Sequence, residues 1–306
     1  MTALVVLVVM AFMASLVHLI PGDPVTTILG PRADPELSKT VRAEMQLDLS
    51  VPHQVWNFVT GALQGDLGVD FTSNEPVTTL VFSALPHTII LAVASLLLAI
   101  LVGVPLGVYA ATHPNTLFDR ITGVLAVSLI TIPPYVAGLF LLLLFAVRFQ
   151  ALPAIGVGDL GDPIDYLRHL ILPSVALAIT WVGYLARLVR ASMLEVLNAG
   201  YIRTAEAFGL RERLIFYRYA LRNAIIPTVA VLGVGLGSLM GGAIFVEVIF
   251  ARTGLGTLIF DSIQTRNYPI VRGGVLVVAI LFVLANLLAD LSYRLLDPRI
   301  RQETAR

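Results

Sequence analysis

Apolar and polar positions alternate along this chain in long blocks rather than at helical or strand spacing. An apolar run of 18 residues, Ala3 to Ile20, comes first and is just long enough to cross a bilayer. Only Met1 and Thr2 precede it, so a retained span is expected rather than a cleaved signal peptide. The run stops at Pro21-Gly22-Asp23-Pro24, a strong turn. Residues 21–85 are different: charges return and apolar residues become spaced. Glu36 to Leu47 and His53 to Leu63 read as short amphipathic helices. Gly65-Asp66-Leu67-Gly68 and Asn74-Glu75-Pro76 read as turns, making a small cap outside the membrane. Five more apolar stretches follow, at about 86–111, 121–147, 172–190, 226–250 and 269–293. Pro86 is placed in a first helical turn, and Pro133-Pro134 must kink or break the third span. Gly233, Gly235, Gly237, Gly241 and Gly242 in the fifth stand at spacings that permit close helix approach. The pattern predicts an all-α integral membrane protein: six transmembrane helices, the cap, a five-helix core over 86–293, and a tail over 294–306.

Composition agrees. The chain is 57% hydrophobic and 13% charged, with a mean hydropathy of +0.87, whereas soluble domains carry about 25% charged residues. Formal net charge is zero, which suggests no nucleic-acid partner. With no cysteine, disulfides, thiol nucleophiles and Cys-ligated metals are excluded. Lys39 is the only lysine and has no glycine frame, so ATP cannot bind here through a P-loop. His18, His53, His87, His113 and His169 are scattered without metal spacing. No Gly-x-Ser-x-Gly or His-Glu-x-x-His occurs. An enzyme, a bound cofactor and a metal site all lack residues to stand on.

Basic residues set the orientation. With the N-terminus inside, twelve fall in cytoplasmic segments and eight outside, and the inside segments are shorter. The cap then lies outside and both termini lie in the cytoplasm. Arg187 and Arg190 close the fourth span and can snorkel. Ionisable or polar groups at membrane depth are few: Glu247 near the outer end of the fifth span, and Asn286 and Asp290 toward the inner end of the sixth. Two readings stay open for these three: interfacial anchoring with helix–helix hydrogen bonds, or the lining of a pore or gate. No carboxylate stands clearly at mid-bilayer, which argues against an ion-coupled carrier working alone.

The segment from Asn198 to Pro227 is the long charged, helix-compatible stretch between spans in the second half. It holds Arg203, Arg211, Arg213, Arg218 and Arg222 against Glu206 and Glu212, and Gly209 divides it into two short helical pieces. Ala205, Phe208 and Leu214 offer an apolar side that has to be buried against lipid or a soluble partner.

Several short signatures, in order and with their spacing, resemble one family. These are Pro21-Gly22-Asp23-Pro24, Gly65-Asp66-Leu67-Gly68, Val104-Pro105-Leu106-Gly107-Val108, Gly241-Gly242-Ala243 through Glu247, Gly254-Leu255-Gly256, Asn267-Tyr268-Pro269 and Asp297-Pro298-Arg299. The chain resembles, over nearly its whole length, a membrane-spanning permease subunit of the bacterial ABC importers for dipeptides, oligopeptides and nickel. Members usually carry a short basic segment before the first span, which Met1-Thr2 is not.

The resemblance makes 198–222 a cytoplasmic coupling loop. Aligned on Gly209, Arg203-Thr204-Ala205 stands for the importers' Glu-Ala-Ala, and Tyr219-Ala220-Leu221-Arg222 for the closing Ile-x-Leu-Pro. Gly209, Ala205 and Leu221 match; the leading Glu and final Pro do not, a departure typical of the peptide and nickel branch. Glu206 and Phe208 depart from the basic residues that branch often has. The coupling set is therefore Arg203, Thr204, Ala205, Glu206, Phe208, Gly209, Leu210, Leu221 and Arg222. Also implied are a homologous second permease, two cytoplasmic P-loop ATPases holding ATP and Mg2+, an external solute-binding protein, and location in the bacterial inner membrane. The implied cargo is a di- or oligopeptide, with nickel the near alternative. An ion-coupled secondary transporter and a non-transporting scaffold are the distant ones.

Overall fold

The computed structural model describes residues 8–13, 25, 34–44, 48–159 and 161–296. Residues 8–13 are helical; the rest of the expected first span, the Pro21–Pro24 turn, the end of the first cap helix and the tail from Asp297 lie outside the described residues. The helices are α1 (Pro35–Glu44), α2 (Val51–Leu63), α3 (Val77–Thr112), α4 (Leu117–Thr131), α5 (Pro134–Leu141), α6 (Pro163–Leu197), α7 (Gly200–Ala207), α8 (Glu212–Leu214), α9 (Leu221–Ala224), α10 (Ile226–Ile249), α11 (Leu255–Gln264) and α12 (Tyr268–Leu296). Two π-helical turns, Leu142–Arg148 and Ile215–Ala220, extend α5 and join α8 to α9. Among the described residues the one β feature is an isolated bridge, Val69 to Pro76.

Among the described residues, four helices are long and apolar enough to cross a membrane: α3, α6, α10 and α12. A fifth span is made if α4 and the stretch Pro134–Arg148 count as one, bent by 101° at the Pro133-Pro134 break. Ile132 is extended, as a residue before proline tends to be, and Pro134 opens the next helix. The expected kink is thus a sharp corner. The starts of two spans need correction. α3 begins at Val77, not near 86, so Pro86 lies inside the helix rather than in its first turn. α6 begins at Pro163, not near 172, and carries Pro173 in its interior. Its start is fixed by Asp162, whose carboxylate accepts from the Ile164 and Asp165 N–H groups at 2.9 and 3.3 Å, with Pro163 at the first helical position. Interior prolines persist in apolar helices because neighbouring groups and local adjustments re-satisfy the freed carbonyl. α11 was not expected from the sequence.

The chain divides into two compact units. The first comprises Met1–Ile89 and Ala251–Val283. Its core joins Leu67, Val77, Val81, Ala84, Leu255, Ile270 and Leu276, with Phe58 and Val59 of α2 packed on it. The two expected turns are present. Gly65 and Gly68 have φ of 83° and 93°, and Asp66 accepts from the Gly68 N–H at 2.8 Å.

The second unit comprises Ile90–Phe250 and Leu284–Arg306, and α6 is its centre. On α3, Gly103 and Gly107 stand one turn apart against Val182, Leu185, Ala186 and Val189 of α6; a Cβ on either would lie within 3 Å of an α6 carbonyl. Gly183 of α6 meets α4 in the same way at the Ala126 carbonyl. The glycine stripe of α10 divides by role. Gly233 sits directly on Ala289 of α12, and Gly235 on Trp181, whereas Gly241 faces open space. Small residues let the backbones approach and gain dispersion contact where lipid supplies no hydrophobic drive.

Candidate functional site

The segment 198–225 folds onto the end of α6 and anchors itself with small apolar residues. Ile202 and Ala205 of α7 join Ile215, Ala220 and Ala224 in a buried cluster with Val108 and Ala111 of α3 and Val189 and Met193 of α6. Leu210 and Leu221 pack against this cluster. Of the coupling set, then, Ala205, Leu210 and Leu221 face their own unit. Arg203, Thr204, Glu206, Phe208, Gly209 and Arg222 are exposed.

The expected apolar side of Ala205, Phe208 and Leu214 is split. Ala205 is buried, whereas Phe208 is 80% exposed and Leu214 is exposed too. The reason is the helix end. α7 stops at Ala207, so Phe208 is its C-cap rather than a further position on the buried stripe. The Leu210 N–H donates to the Ala205 carbonyl at 3.2 Å and the Gly209 N–H to Glu206 at 2.8 Å. This is a Schellman end, in which Gly209 supplies the left-handed residue with φ of 74°. Among the described residues no atom lies within 4 Å of where a Gly209 Cβ would be. Within this chain its requirement is backbone handedness, not space. A cross-tie completes the loop: Asn223 Nδ2 donates to the Tyr201 hydroxyl at 2.9 Å. Next to this segment an open apolar recess of about 580 Å³ is lined by Pro105, Tyr109, Phe118, Tyr217 and Leu221.

The pore candidates are not brought together. Glu247 is fully buried in α10; Asn286 is half-buried in α12. Gly233 meets Ala285 and Ala289, which places Asn286 near the level of Gly233. Glu247 is 14 residues further along α10, about 20 Å at 1.5 Å per residue. Asp290 is on α12 one turn beyond Asn286, its side chain outside the described residues.

Two polar arrangements escaped the sequence reading. Arg190, expected to snorkel, instead forks onto Asp119 at 2.5 and 2.8 Å, joining α6 to α4. In the first unit, Asp70 is pushed up by burial, but the Ser73 hydroxyl, the Thr72 N–H, the Asn267 amide and the Ser73 N–H bind its carboxylate and hold it below the usual range. Asn267 directly precedes α12, so this contact closes the 69–76 loop onto the start of that helix. The Arg190–Asp119 and Asn267–Asp70 pairings span 71 and 197 residues of the chain, so no local signal announces them.

Comparison with known proteins agrees with this architecture. The family model described as "Binding-protein-dependent transport system inner membrane component" matches residues 103–302, and its N-terminal companion matches residues 1–92. The glutathione transport system permease protein GsiC of Pectobacterium atrosepticum is 40% identical over 295 residues, covering 96% of this chain and 94% of that protein. The protein of the same name from Shigella flexneri is 38% identical, covering 93% and 91%, and that from Escherichia coli K12 is 37% identical over the same shares. Among solved structures, an inward-facing form of the MetNI methionine ABC transporter superposes with a TM-score of 0.60 at 19% identity, covering 71% of this chain and 96% of that one. An amino acid ABC transporter with histidines gives 0.52 at 20%, covering 71% and 94%. The chain therefore belongs to the inner-membrane permease components of binding-protein-dependent ABC importers, in the peptide and nickel branch; such a component is not itself an ATPase and works with ATPase and binding-protein partners.

Proposed function

We propose that this chain forms half of the translocation pore of a peptide importer, and that the segment 198–225 couples it to a cytoplasmic ATPase. The carrying observation is the division of that segment into an anchored face and a presented one. Ile202, Ala205, Ile215 and Ala220 are buried in the permease, while Phe208 is 80% exposed and Arg203, Glu206 and Arg222 of the same segment are exposed too. An exposed aromatic among charges, on a helix whose other face is fixed, is how a docking knob is built. Movement of the ATPase would reach α6 and α10 through the buried cluster and Pro227, in the first turn of α10.

The remaining assignments follow this orientation. Both termini lie in the cytoplasm, the cap lies outside to receive the binding protein or cover the outer mouth, and a second, homologous permease completes the pore. Peptide is favoured over nickel because the relatives named above are glutathione permeases, and glutathione is a tripeptide. Glu247, Asn286 and Asp290 are proposed as separate elements of the path, since Glu247 and Asn286 stand about 20 Å apart along the bundle.

Gentle purification of the tagged chain tests this reading. Recovery with a second permease and P-loop ATPases, and ATP hydrolysis stimulated by peptide plus binding protein, is the expected result. Repeated recovery of the protein alone, still active in uptake and sensitive to a proton uncoupler, would sink it.

A further inference from the structure

Three polar side chains at the start of α12 have buried atoms with no hydrogen-bond partner among the described residues: Asn267 Oδ1, Tyr268 OH and Arg272 Nε. Asn267 and Tyr268 are only 4% and 8% exposed. Tyr268 and Arg272 are one turn apart, hence on one helix face. Arg272 does have one polar neighbour. Its Nη2 donates to Gln54 Oε1 of α2 at 3.2 Å, and Gln54 is fully buried and held in turn by the Leu49 carbonyl at 3.0 Å.

That neighbour is a dipole, not a counter-ion. Among the described residues no carboxylate makes an ion pair with Arg272. Asp70, which binds the adjacent Asn267, is already occupied by Ser73, Thr72 and Asn267. The position is otherwise hostile to a cation. It lies in the second turn of a helix, toward the positive end of the dipole, and inside a candidate membrane span. If Arg272 served only to tie α2 to α12, a neutral donor would make the same bond without the solvation cost of a charge. Two unused donors on one helix face suit an anionic group, such as the terminal carboxylate of a peptide.

We propose that Arg272, with the Tyr268 hydroxyl, forms an anion-receiving site at the outer end of the last span, which takes the terminal carboxylate of the incoming peptide. The site rests on the peptide-importer reading above. Gln54 acts as its positioning residue, presenting the guanidinium from the cap helix.

The test uses the complete importer in proteoliposomes, with trialanine and its C-terminal amide supplied at saturating, equal occupancy of the binding protein. The wild-type complex is expected to import the acid about tenfold faster than the amide, the effect of one charge-assisted hydrogen bond. Arg272→Gln should bring that preference below about twofold. Gln54→Glu decides the matter if the first variant assembles poorly. It is isosteric and gives Arg272 an internal counter-ion, at the cost of the bond to the Leu49 carbonyl, and should remove the preference in a complex that still assembles. An acid-to-amide ratio unchanged in both variants overturns the site and leaves the importer reading intact. A wild-type complex that imports neither peptide overturns the importer reading, and the site with it.

Discussion

Arg190 reaches from the C-terminal half of α6 to grip Asp119 at the start of α4 with two hydrogen bonds. Asp119 is only 6% exposed and Arg190 34%. The same carboxylate also accepts from the Asn115 N–H at 3.1 Å. The turn between α3 and α4 is thus locked to the central helix by a charge that has left water. Removing Arg190 leaves the Asp119 carboxylate buried without its counter-charge, whereas Arg190, a third exposed, can turn to water when Asp119 is changed. Arg190→Met is expected to cost on the order of 2 kcal/mol or more and Asp119→Asn less, both read as a lower melting temperature in detergent. The double variant should lose clearly less than the sum of the two, and strict additivity would show that the fork contributes nothing.

Gly209 separates a backbone requirement from a steric one. Its φ is 74° and there is open space around it. Gly209→Asn is expected to keep coupled ATP hydrolysis, because Asn tolerates the left-handed region. Gly209→Val should destabilise the α7 end by about 1–2 kcal/mol and reduce peptide-stimulated hydrolysis. Equal behaviour of the two variants would mean that left-handedness is not what the position needs.

Phe208 and Ile202 are two large apolar residues of one short segment with opposite environments. Ile202 is fully buried and Phe208 is 80% exposed. Ile202→Ala should destabilise the isolated permease by about 2–5 kcal/mol. Phe208→Ala should leave its melting unchanged and weaken retention of the ATPase by about tenfold or more, as loss of an aromatic anchor does. Pull-down with the ATPase subunit reads the second effect; undiminished retention would refute the docking role.

Asp70 makes the 69–76 loop acid-sensitive. Its carboxyl is held below the ordinary value of 3.8. A group whose folded pKa is lowered stabilises the fold above its unfolded value and loses that contribution as pH falls through the folded one. The 69–76 loop should therefore resist proteolysis equally from neutral pH down to about pH 4 and loosen below that. Asp70→Asn should be loose at every pH. A loop whose protection is the same at pH 3 and pH 7 would rule this out.

Much of the architecture was legible because it rests on local, repeated signals. Apolar length marked α10 and α12 almost to their ends, and Pro133-Pro134 marked the corner between α4 and α5. The start of α3 was misplaced by reading Pro86 as a helix opening, and that of α6 by starting at the apolar stretch near 172. Membrane helices tolerate interior proline, and the operative signal for α6 was the Asp162 cap ahead of Pro163. The break of the charged segment at Gly209 into helical pieces was read correctly, but its apolar side was not. Spacing placed Phe208 with Ala205, and the helix ends one residue too early for that.

Hydrophobic length, charge density and turn residues are properties of consecutive residues. From them the sequence by itself determined that this chain is a helical membrane protein with a charged loop near residue 209, and which family it resembles. Pairings across long separations are different. That Arg190 meets Asp119, Arg272 meets Gln54, Asn267 meets Asp70 and Gly233 meets Ala289 depends on how helices dozens or hundreds of residues apart come to lie together. Only the tertiary structure decided these, because burial and counter-charge belong to neighbours in space, which no local pattern encodes.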